Sequence, residues 1–104
     1  MKKTSFFIGL NDKDSKRQEI TSVEAFKIVE NTFNVFCQYG ATIHECRGIY
    51  KHENGDRVIE NTLEAFTTEE LTQETIEAIV TTLKTALNQE SIMIMEENVN
   101  TMFL

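Results

Sequence analysis

Apolar side chains along these 104 residues follow two different periods, and the places where the period changes divide the chain into six elements. From Lys3 to Leu10, Phe6, Ile8 and Leu10 alternate with Ser5, Phe7 and Gly9, which is the period of a strand with one better-buried face. Asn11 to Gln18 is polar and charged without a period and reads as a solvated loop. The spacing then lengthens. Val23, Phe26, Val29, Phe33, Phe36 and Cys37 fall on one stripe of a helix with about 3.6 residues per turn. Thr21-Ser22-Val23-Glu24 offers a capping box at its start, and Gly40 predicts an end near Gln38 or Tyr39.

Ala41 to Lys51 and Arg57 to Phe66 are extended runs on either side of His52-Glu53-Asn54-Gly55-Asp56, and Asn-Gly is the pair that best accepts a type I′ turn. With Asn54 and Gly55 as the two turn residues, Glu53 faces Asp56, Lys51 faces Val58, Tyr50 faces Ile59, Cys46 faces Leu63 and His44 faces Ala65. That register puts Tyr50, Ile59, Cys46 and Leu63 on the core side. Ile43, Glu45, Arg47, Ile49, Val58, Glu60, Thr62, Glu64 and Phe66 then occupy the other face, with Glu45 opposite Glu64 as an unfavourable like-charge pair. Thr72 caps a second helix, with Leu71 and Ile76 in staple spacing and Ile76, Ile79, Val80, Leu83 and Leu87 as its buried stripe. Ser91 to Glu97 alternates Ile92 and Ile94 with Met93 and Met95 and predicts a last strand.

The resulting order, βαββαβ in a single domain spanning residues 1–104, predicts an α+β, ferredoxin-like architecture: a four-stranded antiparallel sheet with both helices on one face. Such a sheet leaves one face bare. Phe7, Ile43, Ile49, Val58, Phe66 and part of the last strand are expected there, so a second copy or another protein is expected to cover it.

Phe7-Ile8-Gly9-Leu10, Gly48-Ile49-Tyr50 leading to Asn54-Gly55, Glu60-Asn61-Thr62-Leu63 and Asn88-Gln89-Glu90-Ser91-Ile92 resemble a family of small uncharacterised bacterial βαββαβ proteins. The resemblance implies the same fold and carries no activity with it.

Charge adds a direction. Val58 to Leu104 holds nine carboxylates against Lys84, a balance of −8, whereas residues 1–57 hold eight acids and nine bases, a balance of +1, giving the net −7. An anionic field repels nucleic acid and favours basic protein surfaces. In size and acidity the chain is similar to anti-CRISPR proteins. The expected function is therefore a non-catalytic, cytoplasmic, acidic protein-binding inhibitor, with Glu60, Glu64, Glu69, Glu70, Glu74 and Glu77 against a basic partner such as an RNA-guided nuclease. Direct nucleic-acid binding and membrane association are not expected, and a homodimer is one of the two ways in which the bare sheet face could be covered. The alternative is a small dimeric enzyme or sensor with a small-molecule pocket on the open sheet face, near Tyr50, His44 and Arg47.

No catalytic residue, cofactor or metal is assigned. A metal site would need Cys37, His44, Cys46 and His52 to converge, yet the alternation of a strand brings only His44 and Cys46 to one face. Those two, held roughly 6 to 7 Å apart, are too distant for a direct nucleophile–base hydrogen bond. With no secretory signal in the sequence, both thiols are expected to stay reduced.

Overall fold

The computed structural model describes residues 1–51 and 54–104. Strand β1 (Lys2–Gly9) is followed by α1 (Ser22–Phe36), β2 (Thr42–Lys51), β3 (Arg57–Thr67), α2 (Gln73–Leu87) and β4 (Met93–Asn98). The strands form one sheet in the order β2-β3-β1-β4, every neighbouring pair antiparallel. This is the ferredoxin-like α+β arrangement that the order of periods predicts.

One sheet face carries both helices. Phe6 and Ile8 of β1 and Leu63 and Ala65 of β3 are buried against Ala25, Val29 and Phe33 of α1 and Ile76, Ile79 and Leu83 of α2. Phe6 and Phe33 meet edge to face at 5.1 Å between ring centroids. Each fully buried large side chain contributes about 1.5–3 kcal/mol of transfer free energy. This stripe of alternating strand residues and helical residues is therefore what holds the two layers together.

Both helix starts follow the sequence. Thr21 accepts from the Glu24 N–H and Thr72 from the Thr75 N–H, each with an extended backbone. The end of α1 differs: the helix stops at Phe36, with Cys37 extended, and Gly40 (φ +114°) serves the following turn rather than a helix cap. The reason is Glu69, whose carboxylate oxygens accept from the Gln38 and Tyr39 amides at 2.9 and 3.0 Å. A carboxylate from another element thus replaces further helical turns as the partner of these amides.

The hairpin register is shifted by one residue from the predicted one. Lys51 pairs with Arg57, Tyr50 with Val58, Ile49 with Ile59, Cys46 with Thr62, Glu45 with Leu63 and His44 with Glu64. The Asn54 side-chain oxygen accepts from the Asp56 N–H at 3.0 Å, an Asx turn, and Gly55 stands at positive φ (+92°). The expected Glu53–Asp56 pairing lies outside the described residues.

A one-residue slip reverses every side chain of the slipped strand. On β3 the predicted faces hold. On β2, however, Ile43, Glu45, Arg47 and Ile49 belong to the helix side and His44, Cys46 and Tyr50 to the open face. The repulsive Glu45–Glu64 pair is replaced by a His44 Nε2–Glu64 Oε1 contact of 2.6 Å, and Ile43 gains packing against the core. Both changes favour the observed register. The last strand exposes its methionines on the open face, while Ile92 and Ile94 pack on the core.

Candidate functional site

Alternation along β3 sends Val58, Glu60, Thr62, Glu64 and Phe66 to the open face, where carboxylates ordinarily stand in water. Glu60 does not: it is 8% exposed. Its carboxylate lies over the neighbouring strand at Gly9, where even a Cβ would overlap it. One oxygen accepts from the Asn11 N–H at 2.8 Å, just past the end of β1. Among the described residues no base pairs with it. Burial therefore raises its pKa above the ordinary 4.5, with the Asn11 hydrogen bond opposing part of the shift.

Around this carboxyl group the open face forms a groove of about 730 Å³, within the range of small-molecule sites. Phe7, Tyr50, Val58 and Met93 give it an apolar lining, and Thr62, Glu64, Gln89 and Ser91 give it polar groups. The groove owes its shape to unequal strand lengths. β1 pairs with β3 from Thr62 to Thr67 and the Leu10 N–H donates to the Asn61 carbonyl at 3.0 Å, so the Ile49–Lys51 and Arg57–Ile59 arms of the hairpin extend beyond β1. The loops after β1 and after α2 close the opposite side.

Those loops are fastened to each other. The Gln89 side chain donates to the Asn11 carbonyl at 2.7 Å, and the Asn88 side-chain amide donates to Asp12 at 2.8 Å and to Asp14 at 2.9 Å. Asn88 occupies the left-handed C-cap of α2 (φ 48°). Residues 11–18 form the solvated loop that their composition predicts, exposed from Lys13 to Arg17, and an Asn11–Gln18 bridge gives it order that composition does not show.

Of the six acids expected to act together, the fold unites Glu60 and Glu64 and separates them from the rest. Glu69 is engaged with the Gln38 and Tyr39 amides. Glu70 precedes the Thr72 N-cap and so is not on the helix, while Glu74 and Glu77 stand exposed on α2, on the other side of the sheet. Of the expected sheet-face residues, Phe7, Val58 and Phe66 are on the open face, with the Lys3 ammonium 4.2 Å from the Phe66 ring centroid. Ile43 and Ile49 are on the helix side, Ile43 partly buried and Ile49 64% exposed beside Ile59.

Tyr50 and Arg47 border the groove; His44 is turned to Glu64. His44 and Cys46 share a face as the alternation requires, but burial and the Glu64 carboxylate both raise the Cys46 thiol pKa. Burial, helped by Glu69, pushes Cys37 up to about 11. Neither thiol is activated as a nucleophile at neutral pH. Among the described residues no three His, Cys, Asp or Glu side chains are grouped to hold a metal; His52 lies outside those residues.

Gly9, Asn11, Asn88 and Gln89 are site residues that pattern reading passes over. The available signals were a glycine inside a strand, which marks close approach of another group, and an asparagine just past an apolar helical stripe, which marks a left-handed cap.

No curated protein matches the sequence. Among solved structures the chain is similar to a phage SAM lyase in complex with S-methyl-5′-thioadenosine, at 21% identity, over 92% of this chain and 79% of that one, with a TM-score of 0.63. It is also similar to the periplasmic divalent cation tolerance protein CutA from Archaeoglobus fulgidus, at 10% identity, over 99% and 88%, with a TM-score of 0.61. CutA from Synechococcus elongatus PCC7942 matches at 13% identity, over 94% and 75%, with a TM-score of 0.54. These likenesses establish the fold. The segments Phe7–Leu10, Gly48–Tyr50, Glu60–Leu63 and Asn88–Ile92 all contribute residues to the one groove or its supports, and over residues 3–103 the sequence fits a single family model: the chain belongs to the family described as protein of unknown function DUF3574.

Proposed function

We propose that the open sheet face binds a small molecule and that Glu60 acts on it as a general acid or base. The observation that carries this reading is a carboxyl group with a raised pKa, without a basic partner among the described residues, facing a groove of ligand size. A group so placed exchanges a proton at less cost than an exposed glutamate. The likeness to a SAM lyase with a bound nucleoside thioether supports a ligand of that kind and an enzyme rather than a non-catalytic module. Calorimetric titration with S-methyl-5′-thioadenosine, and an assay for its release from SAM, test this reading. Binding that survives Glu60→Gln together with turnover that drops at least about 100-fold is the expected result. Turnover unchanged by Glu60→Gln would remove Glu60 from the chemistry.

A second reading keeps the acidic face as a docking site for a basic protein, an RNA-guided nuclease being its most concrete form. It is favoured by Glu70, Glu74 and Glu77, all exposed and absent from the ion pairs among the described residues. On this reading the contacts come from α2 and its approach, without Glu60 and Glu64, which face the other way.

A further inference from the structure

The loop after β1 brings two bases to the groove. Lys13 and Lys16 both line it, and neither belongs to an ion pair among the described residues, although the chain holds 17 acids to 10 lysines and arginines. Asp12 attracts Lys13 without closing an ion pair with it, and its oxygens are also engaged by the loop. Asp12 accepts from the Asp14 and Ser15 amides and from Asn88, and Asp14 also accepts from Asn88. The loop backbone is held as well: the Lys13 N–H donates to the Asn88 carbonyl at 3.0 Å and the Lys16 N–H to the Asp12 carbonyl at 2.9 Å. Lys16 itself takes a left-handed conformation, φ 64°, which a lysine adopts only where its surroundings impose it.

None of the groove's own acids forms an ion pair with either lysine: Glu60 is buried and hydrogen-bonded to Asn11, Glu64 is turned to His44, and Glu90 is exposed. We infer that Lys13 and Lys16 bind the carboxylate or phosphate of an acidic small molecule, whose apolar body lies on Phe7, Tyr50 and Met93 within reach of Glu60. The inference rests on the groove being a ligand site and adds an acidic group to the ligand: SAM would make this contact through its carboxylate, and S-methyl-5′-thioadenosine, which has no acidic group, would bind without it.

Two dyes with the same aromatic body test it on the intact protein: anionic 8-anilinonaphthalene-1-sulfonate and neutral N-phenyl-1-naphthylamine. The native protein is expected to bind the anionic dye about 10-fold more tightly. The double variant Lys13→Met, Lys16→Met is expected to lose that preference while holding the neutral dye within about twofold, and Lys27→Met, Lys84→Met, which changes net charge equally, is expected to keep it. Displacement of the anionic dye by acetate assigns the site to carboxylates and displacement by inorganic phosphate assigns it to phosphates; either supports the inference. A preference that persists without Lys13 and Lys16, or that the control variant loses equally, overturns it. Failure of both dyes to bind the native protein overturns the groove as a ligand site and this inference with it, whereas binding of both with equal affinity overturns the inference alone.

Discussion

Glu60 is the residue on which the functional reading turns, and its pH behaviour has a definite sign. Its folded pKa lies above the ordinary 4.5, so between 4.5 and the raised value the folded chain holds a proton that the unfolded chain has lost. Stability from this group is therefore full below 4.5 and declines as pH rises through the folded pKa. The glutamine variant has no such titration. Denaturant unfolding of the native protein and of Glu60→Gln across pH 4 to 8 should show the stability difference moving in favour of the variant as pH rises, and a constant difference would contradict a raised pKa. Sequence alone could place this glutamate on the open face, because the alternation of β3 is regular. It could not show the burial, which depends on Gly9 of a strand more than fifty positions earlier and on the Asn11 amide beyond it.

At the scale of elements, local signals were legible and pairings between segments were not. Thr21 and Thr72 cap helices where the sequence puts them, because a cap is decided within four residues. The end of α1 and the register of the hairpin depend instead on Glu69 and Glu64, which approach from other segments. The register makes a prediction of its own. His44→Glu restores a like-charge pair opposite Glu64 and should cost about 0.5–1 kcal/mol, read as a lower denaturation midpoint. Glu45→Ala, whose residue faces Leu63 and not Glu64, should leave the midpoint nearly unchanged. A stabilising effect of Glu45→Ala would speak for the unshifted register.

At the scale of the molecule, the charge asymmetry is real and its geometry is divided. The two helices cover one face of the sheet, so acids on α2 and acids in the groove point to opposite sides, while Glu96 and Glu97 are met by Lys2 and Lys3 at the β4 edge. Composition shows the excess of carboxylates and is blind to this partition. No helix among the described residues is long and apolar enough to cross a membrane. Separation of the two acidic groups predicts that they can be tested independently. Glu74→Lys with Glu77→Lys should abolish capture of a basic partner and leave ligand affinity at the groove within about twofold. A large loss of ligand affinity in that variant would show the two surfaces to be coupled.

The most direct measurement of the central claim is a residue-by-residue map of where a small molecule lands. In a titration of isotope-labelled protein with S-methyl-5′-thioadenosine followed by nuclear magnetic resonance, the largest saturable shifts should fall on the amides of Gly9, Asn11, Gly48, Thr62 and Met93. Shifts confined to α1 and α2, or none that saturate, would contradict a ligand site on the open face of the sheet.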